Sequence, residues 1–420
     1  MTSKHIATLL VCLFLGGELY AQTSIKTMFY NLLRYPSGNP QNRELLLKDI
    51  IQDYQPDLFT VCELESQEGA TEILTKSLQS LNANYSSATF VSNQSDDGVY
   101  NQLQQLLFYD SSKFELVNEQ VHTTNVRDIN QYTLLLNTID KETNPLYLEY
   151  FVAHFKSSTG STNKAIRLDM AEVFTNVINT LSSDCYVLFA GDFNLYTSTE
   201  DAYHEILDDA NNIVMVDPEN PTKASQSWNN NATYQGIHTQ ATRVNQQYSN
   251  GAYSGMDDRF DFIFVSENLT SSGDLQYSAN TYSAYGNNKN CYNRDVKDVS
   301  CTGTYSQDIR NTLFDMSDHL PVVLELETTR TILGLEDVQL TKKLRLNGSN
   351  LIANSISLLI EPELYNSKLT IYNHLGRVIY TVPTTTNPLI TINVNHLAEG
   401  IYMITSNKAL HSSIKFIKTH

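Results

Sequence analysis

The sequence predicts a mixed α/β domain followed by a small all-β domain, on three observations. Short β-rich runs alternate with helical periodicities from Ser24 to about Glu327. One stretch, YTLLLNTIDKETNPLYLEYFVAHF, reads as a hairpin, so the sheets are not all parallel. The charge then changes near Thr328: 19 Lys and Arg face 40 Asp and Glu from Thr23 to Arg330, but 8 face 5 from Thr331 to His420.

The elements follow in order. The first twenty-one residues carry Lys4 and His5, an apolar run Ile6 to Leu15, Gly16, Gly17 and a small Ala21, the pattern of a secretory signal peptide. That run is well short of the ~20 apolar residues a membrane span needs. SIKTMFY, DLFTVC, LQQLLFY, YTLLLNTI, LYLEYFVAHF, CYVLFAG, FDFIFVS and PVVLELE are rich in β-branched, aromatic and aliphatic residues and read as strands. Arg43 to Asp53, Glu68 to Leu81 and Lys164 to Leu181 carry apolar residues at three–four spacing and read as helices. Asn220 to Ser254 and Asn280 to Gln307, dominated by polar residues, read as surface loops. After a linker at 328–340, SISLLIEP, KLTIYN, RVIYTV, LITINV, GIYMITS and IKFIK predict a β-sandwich over 341–420.

Composition bounds the function. The chain has 28 Lys+Arg against 46 Asp+Glu, a formal net charge of −18. So acidic a chain cannot coat nucleic acid through clustered cations, though it can still grip a phosphate locally through a metal. Cys291 and Cys301, ten apart in a polar segment, read as a disulfide in an oxidising compartment. Cys62 and Cys185 border apolar runs and read as buried core. The expected protein is exported, extracellular or at the cell surface, without a membrane span, and a monomer.

The residues with chemistry fall at strand ends: Asn31 after TMFY, Glu63 after DLFTVC, His154 in VAHF, Asp192 and Asn194 in AGDFN, Asp261 in RFDF, and Asp318 with His319 in SDHLPV. Each Asp or Asn alone is commonly a turn or helix-cap residue. Together, carboxylates, imidazoles and carboxamides suit a hard, oxygen-loving cation with an acid–base partner. Arg127, Lys156 and Arg167 are candidates to grip substrate, against an equal case for solvated surface cations.

In this order the motifs CELE, AHFKSS, GDFN, RFDFIF and SDHLPV resemble the endonuclease/exonuclease/phosphatase superfamily. The resemblance spans about 23–327 and implies a four-layer α/β sandwich, two central mixed sheets flanked by helices. It also implies Mg²⁺- or Mn²⁺-dependent hydrolysis of phosphoesters, with a structural Ca²⁺ left open. By the same resemblance Glu63, Asn31 and Asp318 hold the metal, and Asp192 and Asn194 orient water and a phosphate oxygen. His319, polarised by Asp261, takes the water's proton or stabilises the pentacovalent state, and His154 contacts the phosphate or protonates the leaving group. The expectation is a nuclease acting on DNA or RNA. The alternatives are a phospholipase C or sphingomyelinase-like or phosphomonoester hydrolase, and a surface binding module without turnover. Glu65, two positions past Glu63, stands where some nucleases of the family carry a basic residue, which removes one DNA-backbone contact. The tail resembles the C-terminal sorting domain of type IX secretion substrates, which implies that secretion machinery as a partner.

Overall fold

The computed structural model describes residues 23–95, 103–248, 250–333, 344–347, 350–406 and 408–420. The expected signal peptide (1–21) and the linker from 334 onward lie outside the described residues.

The first domain is built on two sheets. One contains β1 (Thr23–Tyr35), β2 (Leu58–Leu64), β3 (Tyr85–Ser87), β4 (Gln104–Asp110), β11 (Leu275–Tyr277), β12 (Ser283–Ala284) and β13 (Val322–Thr328). Its order is β11-β13-β1-β2-β4-β3, with β12 also beside β13. The other contains β5 (Phe114–His122), β6 (Ile129–Leu136), β7 (Tyr147–His154), β8 (Tyr186–Asp192), β9 (Met215–Val216) and β10 (Asp261–Ser266), in the order β5-β6-β7-β8-β10-β9. The pairs β1–β2 and β7–β8 are parallel and β6–β7 is the expected antiparallel hairpin, so both sheets are mixed.

Helices close the outer faces. α1 (Arg43–Tyr54), the turn beyond α2 (Gln67–Glu72) and α5 (Gln307–Met316) share a core with the first sheet through Leu47, Ile50, Ile73, Leu78, Leu313 and Phe314. α3 (Ser161–Ile178) and α4 (Asp201–Ile206) cover the second sheet through Met170, Phe174, Ala202 and Ile206. The result is four layers, helix–sheet–sheet–helix.

Strand alternation shows why the runs are so apolar. Leu148, Tyr150 and Val152 of β7 join the core between the sheets, while Phe151 and Ala153 join the core under α3. Strands buried on both faces lose the polar half of the usual alternation. The Tyr150 hydroxyl bridges the sheets, 2.8 Å from Thr27 Oγ1 and 3.2 Å from Thr60 Oγ1.

Some expectations need correction. The segments 220–254 and 280–307 are largely irregular but not superficial. Trp228, His238, Thr242 and Arg243 of the first, and Cys291, Val296 and Cys301 of the second, are buried, and α5 begins at Gln307, where the second was read as ending. Their backbone groups find partners within the domain, which lets irregular chain be buried. Helix 68–81 is α2 followed by a wider π-turn over Ile73–Leu78. Cys62 is buried as expected, but Cys185 is only half-buried, at the mouth of β8. Cys291 and Cys301 form the expected disulfide.

Arg259, just before β10, makes a buried two-pronged pair with Asp217 at 2.8 Å on each prong and lies 4.0 Å from the Phe262 ring. Asp217→Ala leaves that guanidinium buried and unpaired and is expected to cost about 3–5 kcal/mol, read by denaturant unfolding.

The second domain is the expected β-sandwich. β14 (Leu344–Leu346), β16 (Ser355–Ile360) and β19 (Leu389–Asn393) form one sheet. β15 (Leu351–Ile352), β21 (Ala409–Lys418), β20 (Gly400–Ser406), β17 (Lys368–Asn373) and β18 (Val378–Pro383) form the other, in that order. Ile356, Leu358, Leu369, Ile371, Ile392, Ile404 and Phe416 fill its core. Among the described residues, no helix is long and apolar enough to cross a membrane.

Candidate active site

Strand register brings the candidate residues together. His154 pairs with Asp192 across β7–β8, and Asp192 pairs with Asp261 across β8–β10, so the three form one row. Each lies two residues from an inward-facing neighbour, Val152, Ala190 or Ile263, so the period of two turns all three towards the first sheet. Gly191 is required beside them, because a Cβ there would lie 2.4 Å from the Ala153 carbonyl oxygen.

From the facing sheet, Asn31 points inward in phase with Thr27. Glu63 is out of phase: simple alternation would aim it at the helices. Its φ of 56° and the register shift between Val61 and Leu64 turn it into the cleft. Leu33, Arg34, Ser158 and Asn194, which line the same cleft, also have positive φ. Non-glycine residues in this conformation concentrate where a site over-determines its backbone.

The hydrogen bonds form one network. Asn31 Nδ2 donates to Glu63 Oε1 at 3.2 Å and Asp192 Oδ2 at 3.0 Å, while its Oδ1 accepts from Leu33 N. Asn194 Nδ2 donates to Asp192 Oδ1 at 2.8 Å. His154 Nε2 lies 3.5 Å from Asp192 Oδ2. His319 Nδ1 meets Asp261 Oδ2 at 2.7 Å. Asp318 Oδ2 accepts from Ala252 N at 2.6 Å, and its buried Oδ1 has no partner. Gly251, with φ +95°, brings this loop so close that a Cβ would stand 3.2 Å from Asp318 Cγ.

Burial and crowded charge shape the electrostatics. Burial, with Asp261 and Glu63 adding to it, pushes the Asp192 carboxyl up to about 7 against the pull of His319. Burial and then Asp318 raise Glu63. For His319, burial favours the neutral ring, but Asp261, Asp318 and Asp192 outweigh it and hold the proton well above the ordinary range. His154, by burial and then by Arg127 and His319, is driven well below that range. The surroundings thus push the two imidazoles in opposite directions.

The donor set fits a divalent cation. Oxygen and imidazole donors of Glu63, His154 and Asp192 lie within 4.8 Å of one another, and so do those of Asp192, Asp261 and His319. Asp318 belongs to neither group, yet its unpartnered buried Oδ1 and its repulsion of Glu63 mark a place where positive charge is wanted.

The basic candidates lie at different depths. Arg127 lines the cleft, but its Nε and Nη2 donate to the carbonyls of His154 and Phe155, bracing the end of β7. Lys156 is half-buried outside the lining, with Nζ 3.4 Å from Ser157 O, and Arg167 is neither a substrate grip nor a surface cation but fully buried against Glu200.

Sequence reasoning missed Gln240. Its Nε2 lies 2.6 Å from His319 Nε2 and 3.2 Å from Asp318 Oδ2. Its backbone bridges Asp258 on one side and His319 on the other, so Thr239–Thr242 stitches the segment carrying Asp261 to the one carrying His319. Gln240→Ala is expected to lower kcat about tenfold with KM little changed, the loss of roughly one hydrogen bond to a charged partner. Gln240→Glu should not restore it, since it adds a carboxylate beside Asp318; steady-state kinetics of both variants checks this.

Residues 353–419 match the family described as a secretion system C-terminal sorting domain. No curated protein matches the chain. Among solved structures the chain is similar to the human Nocturnin catalytic domain with bound sulfate (17% identity, 73% of this chain and 97% of that one, TM-score 0.43). It is also similar to D. rerio TDP2 complexed with a single-strand DNA product (17%, 73% and 100%, 0.46). A third is an endonuclease/exonuclease/phosphatase family protein from Bacteroides thetaiotaomicron (16%, 74% and 99%, 0.46).

Proposed function

We propose that the first domain is a divalent-metal-dependent phosphoesterase, acting as a nuclease on phosphodiester bonds of nucleic acid, and that the second directs its export through type IX secretion machinery. One observation carries the enzymatic reading: the Asp261–His319 pair converges with His154, Asp192, Asn194 and Glu63 in a single cleft. Binding alone needs no such acid–base arrangement. The match of 353–419 to a secretion sorting domain supports export or surface attachment.

Glu63 and Asp318, with Asn31 beside them, would hold Mg²⁺ or Mn²⁺. When bound, the cation offsets charge building on phosphate oxygens and lowers the pKa of water. Asp261 accepts the Nδ1 proton of His319, which fixes the ring and turns Nε2 to the cleft. In its neutral form Nε2 takes a proton from the attacking water; charged, it stabilises the negative charge that builds on the phosphate oxygens. Asn194, held by Asp192, presents its carboxamide to a phosphate oxygen or the water. Neutral His154 contacts the phosphate or the leaving oxygen, with Arg127 bracing the backbone behind it.

The reading is tested by incubating the mature chain with single- and double-stranded DNA, RNA, sphingomyelin and a chromogenic phosphomonoester, with Mg²⁺, Mn²⁺ or chelator. Metal-dependent cleavage of nucleic acid supports it. Turnover confined to the lipid or the monoester transfers the site to that substrate.

A further inference from the structure

The cleft walls point to the substrate, on the reading above that the site hydrolyses phosphoesters. The cavity measures about 440 Å³ over an acidic floor. Among the described residues lining it, Arg34 and Arg127 are the only Lys or Arg. Arg34 lies 3.4 Å from Glu65, and two nitrogens of Arg127 serve backbone carbonyls. A run of phosphates held by charge needs several cations along its path. This cleft offers one metal-assisted phosphate position and an aromatic wall.

The wall is Tyr196, two residues beyond Asn194. Its ring is half-buried, 5.0 Å from Phe260 at 71°, and Phe260 lines the same cleft. Arg167, fully buried, sits 5.5 Å from the Tyr196 ring centroid. Glu200 accepts from Tyr196 N at 2.9 Å and from Arg167 Nη2 at 2.7 Å. Arg167 Nη1 also holds the Lys156 and Ser158 carbonyls, each at 2.9 Å. One buried guanidinium thus fixes both Tyr196 and the Ser157–Ser158 stretch of the cleft lining, so an aromatic surface is preorganised beside the reacting groups and loses little entropy on binding.

We propose that Tyr196, backed by Phe260, is the stacking surface for an unpaired nucleobase next to the reacting phosphate. The substrate is then a base-bearing phosphoester, a nucleoside phosphate or the end of a single strand, and not a sugar phosphate or a lipid headgroup.

Calorimetric titration of the mature chain carrying His319→Ala, in Mg²⁺, with adenosine 5′-monophosphate and with ribose 5-phosphate tests this without turnover. The expected preference for the base-bearing ligand is about 5- to 150-fold, the range of base–aromatic stacking. Tyr196→Ala should abolish the preference and Tyr196→Phe should keep it. Tyr196→Leu, which keeps bulk without a π face, should behave as the Ala variant and covers the case in which Ala unfolds the chain. Equal binding of the two ligands, no binding of the monophosphate, or a preference that survives in the Ala or Leu variant overturns the proposal. A chain that binds with this preference but, with His319 intact, cleaves no phosphoester leaves the stacking site standing and removes the phosphoesterase reading instead.

Discussion

His319→Ala is expected to lower kcat about 10²- to 10⁴-fold, the range of a positioned acid–base group, while the chain stays folded and still binds metal. The ring is buried and touches Asp261, Gln240 and Asn31 through its nitrogens, so its removal takes away the proposed acid–base group without opening the core between the sheets. Asp261→Asn separates geometry from chemistry. The carboxamide fits the same space, but its NH₂ facing Nδ1 favours the other tautomer and points a proton from Nε2 into the cleft. The loss should therefore approach that of His319→Ala despite an unchanged fold. Single-turnover kinetics with circular dichroism on both variants checks this, and an Asp261→Asn enzyme of near-normal rate would show that tautomer control is not used.

Glu63→Gln is expected to weaken divalent-cation binding by at least about 100-fold, more than the 10–100-fold lost with an outer partner of a ligand. It should also change how the metal-free fold responds to pH. Glu63 and Asp192 have folded pKa values raised by burial, Asp192 to about 7. Between about pH 4 and 7 the folded chain therefore keeps protons that the unfolded chain has released, and stability falls as pH rises through that window. His319, raised well above 6.5, keeps its proton in the folded state after the unfolded chain has lost it above about pH 6.5, and its contribution is likewise lost as pH rises through the folded value. Both effects have the same sign and outnumber the opposite one from His154, whose lowered folded value adds stability as pH rises towards 6.5. The chelated chain should melt at a lower temperature at pH 8 than at pH 5, and Mg²⁺ should raise that temperature more at pH 8, where protons no longer compete. In Glu63→Gln both the slope and the Mg²⁺ response should shrink. Melting curves at the two pH values with and without Mg²⁺ decide it; a chelated chain that gains stability towards pH 8 would show that these carboxylates are not the strained groups of the fold.

The legible parts of this molecule share a physical cause. Strands such as β7, β8 and β10 are buried on both faces, so their runs are nearly all apolar and stand out, and the charged residues that end them stand out for the same reason. β5 was missed because it is an edge strand: FELVNEQVH is mostly polar and largely exposed. α5 was missed because its polar approach hides the start signal, Ser306, whose Oγ caps Ile309 N. Glu63 was found from its motif, but nothing in the sequence announces the left-handed backbone that aims it. Gln240 lies among many Asn and Gln residues and gains its role only from two long-range bridges. Tyr196 is one of 25 tyrosines, and only the geometry around Arg167 and Phe260 singles it out.

On the proposed function, the Asp261–His319 pair and the carboxylates around Glu63 form one metal-dependent hydrolytic site. The most direct test is cleavage of a labelled single-stranded oligonucleotide by the mature chain, with Mg²⁺ or with chelator, beside His319→Ala. Cleavage is expected to appear with Mg²⁺, disappear with chelator and fall at least a hundredfold in the variant. Cleavage that persists in chelator, or that His319→Ala leaves unchanged, would rule out a metal-dependent site built on this pair.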